Sequence, residues 1–287
     1  MGDRSALPAT DEAGLDGVRT ADVLRVSGAT RLTARDRVAH EEPLEIQLAG
    51  TPLAVVMRTP GDDLELVTGF LVTERVVESL EEVESVRTCN ETPSSEAEGN
   101  VVRVTLAPGV RPDLERLRRN QFASSSCGVC GKATLENALA TAPPLEDGLR
   151  MSAAALTGLP SHLRATQPVF DETGGLHAAG LFDGEGRLLV AREDVGRHNA
   201  VDKAVGWAAR AGRLPLTGTV LLVSGRASFE IVQKALAARI PIVAAVSAPS
   251  SLAVSLADAA GIALVGFLRG PGYNVYSHPE RIRSSAS

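Results

Sequence analysis

The chain has 287 residues, of which 44% are hydrophobic and 22% charged, enough apolar material for one large domain or two modest ones. Its net charge of −6 leaves no basic surplus for a general nucleic-acid binder, though a local basic pocket for one nucleotide remains open. No run approaches the ~18 apolar residues that span a bilayer, and Met1 to Thr20 is too polar for a signal-peptide core. With three cysteines and no export signal, the thiols are expected to be reduced, in the cytoplasm.

Residues 1–18 lack periodicity and are expected to form a disordered lead-in. Residues 19–120 form a smaller, β-rich N-terminal region. In it Glu45–Leu48 and Leu53–Met57 pattern as strands around the turn residues Ala49-Gly50-Thr51-Pro52. A helix is predicted to open at Asp62-Asp63, where acidic residues complement its dipole. Val83–Cys89 and Val101–Leu106 alternate like paired strands, with Cys89 read as a half-buried strand thiol. Arg111–Asn120 is a charged connector, either short helix or edge strand.

Residues 121–287 open with Ser124-Ser125-Ser126-Cys127-Gly128-Val129-Cys130-Gly131, a run of small residues ahead of a short predicted helix. Such a run buries almost no apolar area, so it does not serve packing. A thiol near a helix N-terminus, with Lys132 beside it, is expected to have a lowered pKa. A C-x-x-C pair is otherwise half of a zinc site or a structural disulfide, but no second C-x-x-C or H-x-x-x-H accompanies it. Chemistry at sulfur is the favoured reading, and no permanently bound metal is expected.

Beyond this loop, Met151–Thr166 is helical in pattern, ended by Gln167-Pro168. Leu176–Leu181 and Leu188–Ala191 flank Asp183-Gly184-Glu185-Gly186 as a hairpin, and Arg197–Arg210 is a helix closed by Gly212. The apolar runs Val220–Ser224, Ile242–Val246 and Ile262–Phe267 alternate with helices at Phe229–Ala238 and Ser250–Ala260. Such alternation predicts an α/β fold, a sheet covered on both faces with parallel pairs among its strands.

The polar clusters fall at the ends of these runs. Ser224-Gly225-Arg226 follows the first, Ser247-Ala248-Pro249 the second, and Phe267-Leu268-Arg269-Gly270-Pro271-Gly272 the third. Loops at the carboxyl ends of neighbouring parallel strands are where open α/β sheets bind ligands. Arg226, Arg269 and free backbone N–H groups suit an anion there, while simple N-capping by Ser228 and Ser250 is an equal alternative. Glu193 to Lys203 packs ionisable residues at a helix entrance, and His198 in the first turn tilts that cluster toward a site. His177, alone on or before a strand, is more often packed than catalytic in such a place.

Five ordered motifs then carry a resemblance over most of the chain. Ser125-x-Cys127-Gly128-x-Cys130-Gly131, Gly175-Leu176-His177-Ala178-Ala179, Glu193 to Lys203, Ser224-Gly225-Arg226 and Asn274-Val275-Tyr276 closely resemble the FdhD family of formate dehydrogenase accessory sulfurtransferases. The resemblance implies a cytidine-deaminase-like mixed sheet flanked by helices, with a smaller appended domain, and a homodimer. It implies a cytoplasmic sulfur carrier that accepts persulfide sulfur from a cysteine desulfurase on Cys127, with Cys130 secondary. The acceptor is the molybdenum (or tungsten) bis-guanine-dinucleotide cofactor, sulfurated before it enters formate dehydrogenase. The family's guanine-nucleotide segment corresponds to Phe267, Leu268, Arg269, Gly270, Pro271 and Gly272 here; Ser224, Gly225, Arg226 and His198 complete the expected cofactor site. Two other readings share these residues. A cofactor chaperone would not need Cys127. A zinc-dependent deaminase would need Glu where His177-Ala178-Ala179 has alanine, and a C-x-x-C after its histidine rather than before.

Overall fold

The computed structural model describes residues 15–89, 99–112, 131–146 and 148–284. Among the described strands, β1 (Val18–Ser27) and β2 (Thr30–Ala39) pair only with each other, as a two-stranded ribbon. Val18, the last residue assigned to the lead-in, therefore already belongs to a strand. β3 (Glu42–Leu48) and β4 (Thr51–Arg58) form the expected hairpin. Ala49 and Gly50 at its turn both have positive φ, 49° and 82°, the twist that matches two antiparallel strands.

Helix α1 (Asp63–Thr73) lies over a four-stranded sheet of order β4-β3-β6-β5, completed by β5 (Val83–Thr88) and β6 (Val101–Leu106). Leu44, Ile46, Val102 and Val104 from the sheet meet Leu66, Val67, Phe70 and Leu71 from the helix in one buried cluster. Cys89 follows β5 directly, its N–H bonded to Val101 O at 2.8 Å.

The second sheet has six strands in the order β13-β12-β11-β10-β8-β9. These are β8 (His177–Asp183), β9 (Leu188–Asp194), β10 (Thr219–Val223), β11 (Ile242–Ala245), β12 (Ala263–Arg269) and β13 (Gly272–Ser277). β10, β11 and β12 run parallel, and β8, β9 and β13 flank them antiparallel. Every residue of β10 and β11 is buried, the consequence of helices on both faces. Alternate side chains go to opposite faces. Leu221, Val243 and Leu264 pack under α5 (Arg197–Arg210), α6 (Phe229–Ala237) and α7 (Ser251–Ala259), with α2 (Gly131–Thr141) beside α7. Val220, Leu222, Ile242 and Ala244 face Leu156, Leu159 and Leu163 of α3 (Ala153–Arg164). The mixed α/β sheet flanked by helices, with a β-rich N-terminal part, is the fold class the sequence predicts. Among the described residues no helix is long and apolar enough to cross a membrane.

Three elements differ from the sequence expectation. Met151–Ser152 is a short strand, β7, pairing in parallel with β14 (Ile282–Arg283). α3 therefore starts only at Ala153, capped by the Ser152 hydroxyl, which accepts from Ala155 N at 3.1 Å. α3 ends before Gln167-Pro168, as expected, but Pro168 then opens a further helix, α4 (Pro168–Thr173), at the position where a missing N–H is harmless. The expected loop Phe267–Gly272 is the end of β12 plus the turn into β13, with Arg269 paired to Gly272.

α1 crosses α5 at very short range. A Cβ placed on Gly69 would lie 1.8 Å from Asp202 O, and one on Gly206 would lie 1.8 Å from Glu65 O. Both obstacles are backbone, which cannot swing aside. Gly206→Ala should therefore lower stability by about 3 kcal/mol through overpacking, read as a lower denaturation midpoint. An unchanged midpoint would contradict the close crossing.

Candidate functional site

Because β10, β11 and β12 are parallel, their carboxyl ends share one edge of the sheet, and antiparallel β8 begins there with His177. A cleft of about 730 Å³ opens at this edge. Ser224, Gly225, Val246, Leu268 and Arg269 from the strand ends form one side, with Leu176 and His177. Pro160, Leu163 and Arg164 of α3, with Gln167, Phe170, Gly174 and Gly175 at or after α4, form the other.

The strand-end loops are stitched together by their own backbone. Ser247 N donates to Gly225 O at 3.3 Å, Phe267 N to Ser247 O at 3.1 Å, and Ser250 N to Ala227 O at 3.0 Å. Ser224 N donates to Ala178 O, and its Oγ accepts from Ala178 N, both at 2.9 Å. The Ser224 hydroxyl proton stays available to a ligand. His177 lies over Gly225, where a Cβ would come within 3.4 Å of Nδ1. Burial first, then the charges of Arg197 and Arg226, lower the His177 pKa and favour a neutral ring. Arg269 Nε donates to Val246 O at 2.9 Å, which fixes the guanidinium at the rim and leaves its outer nitrogens for an anion. Across the cleft Arg164 stacks on Phe170, 4.9 Å from the ring centre, and pairs with Asp171.

Of the residues singled out in the sequence, Ser224, Gly225, Leu268 and Arg269 line this cleft. Arg226 is exposed next to it, close enough to act on His177. Phe267, Gly270, Pro271 and Gly272 border it without lining it. Phe267 is 42% exposed with φ at 54°, a left-handed conformation that strains a bulky residue by about 1–3 kcal/mol. Cys127 and Cys130 lie outside the described residues; α2 begins at Gly131, immediately after them. The wall from α3 and α4 was not anticipated. The helical pattern of α3 is visible in the sequence, that of α4 is not, and nothing local signals that either faces a cleft.

The cluster Glu193 to Lys203 sits in this region with a different use from the one its charges suggest. Asp194, fully buried, accepts from Thr59 N, Gly196 N and Asn199 Nδ2 at 3.1, 2.8 and 2.9 Å and pairs with Lys203 Nζ at 2.8 Å. Asp202 accepts from Thr73 Oγ1 at 2.6 Å and from Lys234 Nζ at 2.9 Å. Glu193 accepts from Val169 N and Phe170 N, satisfying the start of α4. These carboxylates fasten elements together.

His198 is partly exposed. Its Nε2 lies 3.4 Å from Ser228 Oγ and 3.9 Å from Glu230 Oε2, so the N-termini of α5 and α6 meet here. Neither helix has a side-chain N-cap. Ser250, by contrast, caps α7 through Ala253 N at 3.3 Å. Arg197 Nε, buried beside His198, has no hydrogen-bond partner among the described residues. Burial, then Arg197 and Lys234, lower the His198 pKa to about 4. Arg197 acts on both histidines, Arg226 on His177, and the carboxylates of Glu230 and Asp194 oppose them at His198 and His177 respectively. Among the described residues no three His, Cys, Asp or Glu side chains converge to hold a metal.

Known proteins share this architecture. The FdhD/NarQ family matches residues 39–283. The chain is 53% identical over 266 residues to the sulfur carrier protein FdhD of Mycobacterium tuberculosis, covering 91% of this chain and 96% of that one. Against the sulfur carrier protein FdhD of Streptomyces coelicolor it is 52% identical over 270 residues, covering 92% and 95%. A crystal structure from Desulfotalea psychrophila, assigned as a formate dehydrogenase accessory protein, superposes with a TM-score of 0.73 at 27% identity, covering 93% of this chain and 99% of that one.

The low His198 pKa makes stability depend on pH. Between about 4 and the unfolded value near 6.5 the unfolded chain binds this proton more readily, so stability rises with pH across that window. Wild type should lose melting temperature as pH falls from 7 toward 4.5, and His198→Gln should lose less. Parallel curves for the two proteins would show that the folded ring titrates normally.

Proposed function

The chain belongs to the FdhD/NarQ family, and from that membership we propose that it is a sulfur carrier serving formate dehydrogenase. The observation that carries this reading is its 53% identity, over nearly the whole chain, to a protein named for sulfur carriage. The Cys127-Gly128-Val129-Cys130 segment directly ahead of α2 supports it. The positive end of a helix and Lys132 favour thiolate over thiol.

In this reading the Cys127 thiolate attacks the terminal sulfur of a persulfide on a cysteine desulfurase. The donor's S–S bond breaks, its cysteine leaves as the thiolate, and Cys127 becomes the persulfide with no net oxidation. Cys130 is the resolving thiol. Its attack on the Cys127 sulfur expels hydrosulfide and leaves a disulfide, clearing an undelivered load.

The substrate that receives the sulfur is the molybdenum (or tungsten) bis-guanine-dinucleotide cofactor, on its way to formate dehydrogenase. Its anionic nucleotide end suits the cleft at the sheet edge. Arg269, the Ser224 hydroxyl and Arg226 are the groups that would meet its phosphates, Gly225 leaves room for the His177 ring beside them, and Leu268 offers an apolar floor. The turn from Phe267 to Gly272 borders the nucleotide, and Arg197 beside His198 lies at the next helix entrance. In a chain of net charge −6, such a local concentration of positive potential draws in an anion. The protein acts in the cytoplasm as a homodimer.

Two measurements test the reading. Incubated with a desulfurase and cysteine, wild type and Cys130→Ala should gain the mass of one sulfur atom, and Cys127→Ala should not. Activation of formate dehydrogenase should disappear with Cys127. Activation that survives in Cys127→Ala would make the chain a cofactor holder instead. By calorimetry, GDP should bind Arg269→Ala about tenfold more weakly than wild type, the loss of one charge-assisted contact. Equal affinities would remove Arg269 from the site.

A further inference from the structure

The cleft at the sheet edge has two unlike walls. The strand-end wall carries Ser224 and Arg269. The wall from α3 and α4 is mostly apolar, through Pro160, Leu163 and Phe170, and holds two polar side chains, Arg164 and Gln167. Arg164 is committed, since it stacks on Phe170 and pairs with Asp171. Gln167 is not.

Gln167 is only 4% exposed, yet its side-chain amide makes no hydrogen bond among the described residues. Capping is not its use, because the start of α4 is satisfied without it. Pro168 has no N–H, and Val169 N and Phe170 N donate to Glu193 at 3.1 and 2.9 Å. Asp171 N donates to the backbone oxygen of Gln167 at 3.0 Å. The little surface that Gln167 keeps faces the cleft it lines, and neither amide atom is sealed away from it. A glutamine is seldom buried to this degree, and a buried amide without partners forfeits the hydrogen bonds it had with water. In a wall whose other polar groups are satisfied, such an amide points to a ligand that completes it.

The chemistry of the amide defines what fits. Nε2 donates and Oε1 accepts, side by side in one plane. A 6-oxopurine presents the matching edge, an O6 acceptor beside an N1–H donor, so two parallel hydrogen bonds form together. The apolar side chains of Pro160, Leu163 and Leu268 suit the faces of a flat ring, while Arg269 and the Ser224 hydroxyl across the cleft are the groups that would meet phosphates. A cleft of about 730 Å³ has room for a nucleotide.

We propose that Gln167 reads the base of the nucleotide bound in this cleft, with Nε2 donating to O6 and Oε1 accepting from N1–H of a guanine. The choice of guanine rests on the cofactor reading above; the unpartnered amide rests on the cleft wall itself. Adenine carries its donor and acceptor in the reverse order, which a flipped amide would meet. Gln167 therefore supplies affinity for the purine edge and does not by itself choose between the two purines.

The test pairs a change in the protein with a change in the ligand. Gln167→Met keeps the length and bulk of the side chain and removes both hydrogen-bonding atoms. N1-methyl-GDP keeps the ring and phosphates and blocks N1–H. By calorimetry on the full-length chain, wild type should bind GDP about tenfold more tightly than N1-methyl-GDP, and Gln167→Met should bind both at the weaker level. Without nucleotide the variant should melt no lower than wild type, because it loses an unpaired buried amide. A variant that binds GDP like wild type, or still prefers it to the methylated ligand, would overturn the proposal. So would a wild type that binds no GDP or does not distinguish the two ligands. A variant that melts well below wild type would assign the amide to folding and overturn it as well. Sulfur uptake at Cys127, measured on the same wild-type protein, tests the carrier reading separately: its absence beside an intact preference for GDP would remove sulfur carriage and leave the base contact standing.

Discussion

The crossing of α1 over α5 is the contact on which the remaining geometry depends. Gly69 and Gly206 bring the two helix backbones into direct contact. Two buried ion pairs then fix the crossing. Lys203 pairs with Asp194 and donates to Thr59 O at 2.9 Å, while Lys234 of α6 joins Asp202, Glu74 and Thr73. Burial works to discharge Lys234, but the carboxylates of Asp202 and Glu74 overcome it and hold its pKa above the ordinary lysine value. Breaking one such buried pair costs about 3–5 kcal/mol, because the orphaned charge stays buried. These contacts tie the segment around Thr59 and Thr73 to α5 and α6, and so set where both helices begin.

The start of those helices and the ends of the parallel strands define the candidate site together. Three parallel strands flanked by antiparallel ones put three carboxyl ends and the beginning of β8 on one edge. That edge gathers His177, Ser224, Arg226 and Arg269, while the first turn of α5 adds Arg197 and His198. Both histidines are held toward their neutral forms by the arginines and by burial, so the positive charge there resides on guanidiniums. The strained backbone at Phe267 and the tight fit of Gly266, where a Cβ would lie 2.8 Å from Pro249 Cδ, show how closely the β12 end is packed against the β11 loop.

Much of the sheet is legible in the sequence because its signals are local. The apolar runs of β10, β11 and β12 mark strands buried on both faces, and Gly196 and Gly212 bracket α5. What escaped depends on distant partners. β13 has a mixed polar pattern and is a strand only because β12 pairs with it. β7 exists through β14, more than a hundred residues later in the chain. The charged run from Glu193 to Lys203 reads as a site because sequence alone cannot distinguish a carboxylate facing a ligand from one buried against a lysine. Asp194 and Asp202 are of the second kind. For the cleft, the strand-end loops were visible as Ser/Gly/Arg clusters, whereas the opposing wall of Pro160, Leu163 and Phe170 looks like ordinary helix and carries no such mark.

The central claim is that sulfur passes through this chain to a cofactor, rather than merely resting on it. The direct measurement is a chase. The protein is loaded with radiolabelled sulfur from cysteine by a desulfurase, freed of the desulfurase, and mixed with the bis-guanine-dinucleotide cofactor. The account predicts that label leaves wild type and appears on the cofactor, and that excess GDP slows the transfer by occupying the cleft. Label that stays on the protein in the presence of cofactor, or that moves to cofactor equally well from Cys127→Ala, would contradict it.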